Sequence, residues 1–359
     1  MGILIRHSLD RFIVWGIVVV FSGSLLLLGT AFCTGFVASR KGYIANGYYF
    51  DARKKMERHE FDAAIRDIEK AMITAEKPSS RYLYTRSRIH TLMGNLPAAI
   101  ADIEAARAVR YHIVEYYYQR ALLHLMEGKT AEAITELTSG MPLYELNESG
   151  DVYVDFRVTS GYSNTLTQDY VEAMYLRGVA HYMKGNTDAA LTDLTRSTET
   201  RAKQLHGAAN RMIWCVKALP GGIGAGSGRV TGSDLDLARA NEELSATVRQ
   251  NSWDATLCDV LTGKLSDEEK LLRAASEVPA PLSNADAATM PARVSQAWVN
   301  AKRCEAYFYS AARQFAVGNT AAGWVLLRKC VDSRTAMSVE YIVATAALAR
   351  QNVSIRAQN

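Results

Sequence analysis

A self-similar block recurs down this chain and constrains its fold more than any other feature. Four segments align on a turn followed by an Ala-rich stretch: Glu60-Phe61-Asp62-Ala63-Ala64, Gly94-Asn95-Leu96-Pro97-Ala98-Ala99, Gly128-Lys129-Thr130-Ala131-Glu132-Ala133 and Gly185-Asn186-Thr187-Asp188-Ala189-Ala190. The first lacks the turn glycine and is the poorest match. The reference alanines Ala64, Ala99, Ala133 and Ala190 are separated by 35, 34 and 57 residues, the last being one period of 34 plus an insertion of 23. Small residues (Ala52, Ser87, Ala121, Gly178) share one place on the first helical stretch of each unit, where two helices cross closely. Aliphatics (Ile68, Ile103, Leu137, Leu194) share one place on the second, as a buried stripe requires. Pro78 and Pro142 fall between units, and Pro97 sits in a first turn, where its missing N–H costs little. A fifth unit is legible in Tyr307, Ala311, Gly318-Asn319, Gly323, Leu327 and Cys330.

A period of 34 with two helices per unit resembles the tetratricopeptide repeat, whose units bury their apolar faces only by stacking. The predicted fold is all-α, a right-handed α-solenoid preceded by one N-terminal transmembrane helix. Residues 1–41 form the membrane anchor and 42–207 form repeats 1–4, with an insertion at about 141–165. Residues 208–303 hold a Gly-rich loop at about 219–234 and irregular helices, and 304–359 hold a last repeat-like hairpin, a capping helix and a tail. Within the irregular part, helices are predicted at Leu235–Gln250 and Trp253–Leu261, then from a capping box at Ser266-Asp267-Glu268-Glu269 to about Ser276, and again from about Val294.

The anchor rests on a charge-free run from Phe12 to Phe36, 25 residues, long enough at about 1.5 Å per residue to cross a hydrocarbon core of about 30 Å. Its length favours an uncleaved span over a signal peptide. Cleavage after Gly29-Thr30-Ala31 and lipidation of Cys33 are the alternatives, although Phe32 stands where a lipobox wants a small residue. The expected topology is single-pass, with the body on the periplasmic or outer side. The segment 1–58 carries a net +5 within a chain total of +4, which leaves the rest at −1. A body near neutrality with no basic stripe argues against nucleic acid. With 48% apolar and 22% charged residues, wholesale disorder is excluded as well.

The C-terminal half resembles the NlpI-type tetratricopeptide lipoproteins of bacteria. The matching residues are Trp253 through Leu261-Thr262-Gly263-Lys264-Leu265-Ser266, then Cys304-Glu305-Ala306-Tyr307-Phe308-Tyr309, then Val339-Glu340-Tyr341. That resemblance implies an envelope-anchored adaptor holding a protease or peptidoglycan enzymes near their substrates.

Two sets of residues are candidates for function. Tyr49, Tyr84, Tyr118, Tyr175 and Phe308 share the fifth position of each repeat, and Met56, Met126, Met183 and Tyr182 are expected on the same concave face. Together they would grip a partner's extended segment or helix. Arg86, Arg120 and Arg177 recur on first helices and Asp67, Asp102, Glu136 and Asp193 on second helices, predicting a ladder of structural ion pairs. His90, His124 and His181 recur four residues after the arginines, but one repeat apart, about 10 Å, is too far for one metal. Cys33, Cys215, Cys258, Cys304 and Cys330 form no C-x-x-C pair and are read as buried free thiols, with bridges among the last four left open. The loop Gly221-Gly222-Ile223-Gly224-Ala225-Gly226 has no dinucleotide or phosphate fingerprint, and no protease or hydrolase motif exists. The sequence predicts a membrane-anchored scaffold that binds protein partners, with no cofactor, no metal and no catalytic residue. The alternative is a permanent structural or assembly subunit of a membrane complex.

Overall fold

The computed structural model describes residues 40–75, 79–110, 113–141, 144–146, 152–154, 163–200, 205–224, 234–247, 251–276, 292–335 and 337–358. The span expected at 12–36 and Cys33 lie outside them, and among the described residues no helix is long and apolar enough to cross a membrane.

The first four hairpins pair α1 (40–57) with α2 (Phe61–Ala75), α3 (Ser80–Leu92) with α4 (Leu96–Val109), α5 (Val114–Met126) with α6 (Thr130–Gly140), and α7 (Ser163–Lys184) with α8 (Thr187–Thr198). Three of the turns put Gly94, Gly128 or Gly185 at φ between 76 and 85°, the left-handed region that closes a helix end without a Cβ clash. The first hairpin instead turns through His59 at φ 55°. The small positions do what their size predicts. Ala52, Ser87 and Ala121 are fully buried, and a Cβ on Gly178 would meet Leu194 Cγ at 2.8 Å. Ser87 also donates its hydroxyl to the Ala99 carbonyl at 2.7 Å, bonding first helix to second at the crossing.

Between α6 and α7 the insertion contains one departure from an all-α chain. Strands β1 (Tyr144–Leu146) and β2 (Val152–Val154) pair antiparallel, with Tyr144 opposite Val154, and β2 lies against α7. After the fourth hairpin come α9 (His206–Ala218), α10 (Asp234–Ala246), α11 (Ser252–Thr262) and α12 (Glu268–Ser276). Asp267, rather than Ser266, caps α12, its Oδ1 accepting from the amides of Glu269 and Lys270. The last hairpin is α13 (Ala292–Ala316) with α14 (Thr320–Asp332), followed by α15 (Val339–Gln358).

The chain does not continue as an open stack. α15 packs on α13 and α14 and returns to α7, where Arg350 donates to the Met183 carbonyl at 2.7 Å. Trp324 of α14 fills the space above Gly224, in the turn after α9. One apolar core therefore runs from Val114 to Ala347, while the first hairpins are held by three small clusters, around Tyr49 and Ile68, around Ile89, and around Ile103. The molecule has a thin N-terminal stack and a thick, self-closing C-terminal half.

The recurring charges lie inside this frame. Arg86 grips Asp102 with two bonds of 2.9 and 2.7 Å, Arg177 grips Asp193 with two of 2.7 Å, and Arg120 bonds Glu136 at 2.7 Å. Each pair spans 16 residues and joins the two helices of one hairpin. The arginines also reach back one unit: Arg120 contacts Glu104 at 2.7 Å, and Arg177 lies 3.4 Å from the Thr138 hydroxyl. The first hairpin differs because Asp51 stands where the others have Arg. Asp67 turns instead to Lys55, one turn along α1, and to Lys70. Burial works to raise the Asp67 carboxyl, and the two lysines outweigh it, holding it below the usual range. A double-mutant cycle on Arg177→Met and Asp193→Leu measures one rung. The double variant is expected to lose about 1–3 kcal/mol less than the sum of the single losses, and strict additivity in urea unfolding would rule the pairing out.

Candidate functional site

The nine residues expected to grip a partner fall into two groups. Tyr175, Tyr182, Met183 and Phe308 are buried in the C-terminal core, and Phe308 has no exposed surface. The Tyr182 hydroxyl donates to the Cys215 carbonyl at 3.3 Å. The physical reason is simple: α9 and α15 pack on α7, and α13 joins the same core, so these side chains lie against their own chain and present nothing to a partner. Met56 is buried as well, against Ala64 and Ile89. Tyr49 is buried beneath two guanidiniums, Arg53 at 6.0 Å and Arg81 at 5.6 Å from its ring centre. Tyr84, Tyr118 and Met126 remain half-buried on the face built by α3 and α5.

The open part of that face is therefore lined less by aromatics than by charge. Arg53, Arg81 and Arg88 form its N-terminal end, with Arg88 5.8 Å from the Tyr84 ring centre. A cation over a ring holds an arginine in place while leaving its N–H donors free for another acceptor. Tyr84 and Tyr116 stack at 5.2 Å beside them. One repeat further on, the sign reverses. Glu115 on α5 and Asp169 and Glu172 on α7 face the same stretch, and burial together with Glu115 raises the Asp169 carboxyl to about 8. One Asp169 oxygen is shut off from solvent without a hydrogen-bond partner. Burial also raises the Tyr84 and Tyr118 phenols, which keeps them neutral donors. The result is a tyrosine-floored strip with cations at one end and crowded carboxylates at the other.

The recurrent histidines stay apart. His90 Nε2 lies 3.8 Å from Asp102, while His124 approaches Glu127 at 3.9 Å, and burial lowers the pKa of His124 and His181. Among the described residues no group of three or more His, Cys, Asp or Glu side chains is placed to hold a metal ion.

Sequence reasoning missed Arg53, Arg81 and Arg88 because only two of them share a repeat position, which holds Leu122 and Val179 in the next two units. A signal was present all the same: Arg53 and Arg88 both follow the fifth-position tyrosine by four residues, one turn along the same face.

No family model and no curated protein matches this chain. Among solved structures, the crystal structure of the TPR domain of P58(IPK) aligns over 86% of this chain and 99% of that one, at 12% identity and a TM-score of 0.26. So low a score transfers no feature. What the structure itself shows is a series of helical hairpins whose small positions, glycine turns and ion pairs repeat.

Proposed function

We propose that this chain is a scaffold that binds protein segments along the first-helix face of its first four hairpins, from α1 to the start of α7, and is held at a membrane by residues 12–36. The observation that carries the reading is the polarised strip. Three arginines poised over tyrosines offer donors to an acidic stretch of a partner, and Glu115, Asp169 and Glu172 favour a basic one further along. An extended segment with acidic and basic halves complements both ends and takes one direction. Tethering raises the local concentration of whatever the strip holds, so modest affinity suffices. The resemblance of Trp253–Ser266 and Cys304–Tyr309 to envelope lipoproteins supports a body outside the cytoplasm, serving proteases or wall enzymes.

The second reading, a permanent subunit of a membrane complex, has one observation in its favour. Helix α1, next to the expected span, exposes Tyr43 (82%), Ile44 (41%) and Phe50 (53%).

The test uses the full chain in detergent and a labelled extended peptide with one Glu-rich and one Lys-rich half. Arg81→Glu combined with Arg88→Glu is expected to weaken binding at least about tenfold, and salt should weaken it further. Glu132→Lys, on an exposed position of α6, is expected to leave binding unchanged. Equal affinity for peptides of either charge pattern, untouched by the arginine changes, would contradict the reading.

A further inference from the structure

Cys304 on α13 and Cys330 on α14 meet in the interior with their sulfurs 2.7 Å apart, and neither residue has exposed surface. Their meeting follows from the register of the repeat. The same pair of positions, 26 residues apart, holds Ala45 and Ala71, Ser80 and Ala106, Val114 and Gly140, and Val171 and Ser197 in the first four hairpins, all buried. These are the points where a first helix lies against the end of its second. Among the described hairpins only the last puts sulfur at both ends. A hydroxyl cluster closes over the pair: Ser333 and Thr335 lie 3.3 Å from each other, and Ser338 Oγ lies 4.0 Å from Cys304 Sγ.

We propose that Cys304 and Cys330 are a disulfide site, whose oxidation staples α13 to α14 and fixes the platform from which α15 turns back to α7. The oxidant is a disulfide, either of a low-molecular-weight thiol or of a thiol–disulfide oxidoreductase. The Cys304 thiolate attacks one donor sulfur, breaking the donor S–S bond and expelling one donor thiolate. The Cys330 thiolate then attacks the Cys304 sulfur of that mixed disulfide and expels the second donor thiolate. Two electrons pass from the cysteine pair to the donor, and the two cysteine protons end on the two donor thiols. In the closed hairpin the Cys330 S–H, with Thr335 and Ser333, lowers the Cys304 thiol and burial raises that of Cys330; with the hairpin open the difference goes, and the two steps balance equally with the cysteines exchanged. Since both sulfurs are enclosed, exchange takes place while the hairpin is forming or transiently open. Burial raises the Cys215 thiol strongly, so it is expected to stay reduced.

The test is to unfold the full chain in detergent and urea and refold it in a glutathione redox buffer. Free thiols are then alkylated and the digest is mapped by mass spectrometry. A parallel sample of native chain is treated with oxidised glutathione without unfolding, so that poor refolding cannot hide the answer. The expected result in at least one sample is loss of two hydrogens per chain, one cross-linked peptide joining Cys304 to Cys330, and alkylated Cys215 and Cys258. The oxidised chain should melt several degrees higher than the reduced one, and Cys304→Ser and Cys330→Ser should each abolish that rise. Full alkylation of both Cys304 and Cys330 in both samples, or a bridge from either to Cys33, Cys215 or Cys258, overturns the assignment. A cross-link that leaves the melting temperature unchanged overturns the stapling role.

Discussion

Replacing Arg211 with Met should lower the unfolding temperature by about 5 °C, one of the two largest effects expected of a single change in this chain. Arg211 on α9 is the cation at the centre of a buried polar group drawn from α9, α11, α13 and α15. Its guanidinium bonds Asp254 and lies 5.1 Å from the Tyr309 ring centre. Tyr309 donates to Glu340 at 3.0 Å, and Trp253 Nε1 donates to Glu305 at 2.8 Å. Gly207 makes room for this arrangement, since a Cβ there would come within 2.4 Å of Asp254 Oδ1. Methionine fills much of the arginine's volume but leaves Asp254, Glu305 and Glu340 without their shared cation. Stranding buried charge in this way costs about 3–5 kcal/mol, and each kcal/mol is worth about 1–2 °C in a chain of this size.

The loss should also grow with pH. Burial, with Glu340 beside it, already raises the Glu305 carboxyl to about 7 in the folded chain. A folded value above the unfolded one contributes stability that is fully present at acid pH and is lost as pH rises through the folded value. Removing Arg211 takes away a charge that holds the Glu305 carboxyl down, so that carboxyl rises further and the variant's deficit should be smaller near pH 5 than near pH 8. Adding Asp254→Leu should recover part of the loss, because the carboxylate that bonds the guanidinium directly goes with it. Differential scanning calorimetry of the three chains at the two pH values decides the matter. A deficit independent of pH would show that the loss comes from packing alone.

Phe308→Ala carries the second large effect and separates core from contact. With the side chain wholly enclosed and its ring 5.1 Å from that of Tyr309 in an edge contact, truncation should cost about 3–5 kcal/mol. Peptide binding to the N-terminal strip, measured well below the unfolding transition, should be unchanged. A residue that gripped a partner would do the opposite, losing binding at constant stability. Urea unfolding alongside the peptide titration distinguishes the two.

These two residues mark where the sequence stops being legible. Features set by the repeat could be read directly: the hairpins, the glycine turns, the Ala and aliphatic positions, and charges at a constant separation of 16 residues. Each depends on contacts within a unit or with its neighbour, and a fixed register writes such contacts as a period. The Arg211–Asp254 bond spans 43 residues and the Arg350–Met183 bond 167, and neither offset recurs. Nothing periodic announces that α15 folds back onto α7 and that α13 joins the same core. The fifth-position aromatics therefore identified a face without revealing that half of it is closed. Tyr84 and Phe308 occupy equivalent positions, yet one lies beside Arg88 at the strip and the other lies in the core.

Protein partners are proposed to lie along the N-terminal strip and not on the opposite surface. Site-specific photo-crosslinking in intact cells tests it most directly, with the photoreactive residue placed in the full chain at Asn46 or Glu172 on the first-helix face and at Glu132 on α6. The account predicts adducts to polypeptide from positions 46 and 172 that are lost when Arg81 and Arg88 are both changed to Glu, and none from position 132. Adducts from position 132 alone, or adducts at 46 and 172 indifferent to the arginine changes, would contradict it.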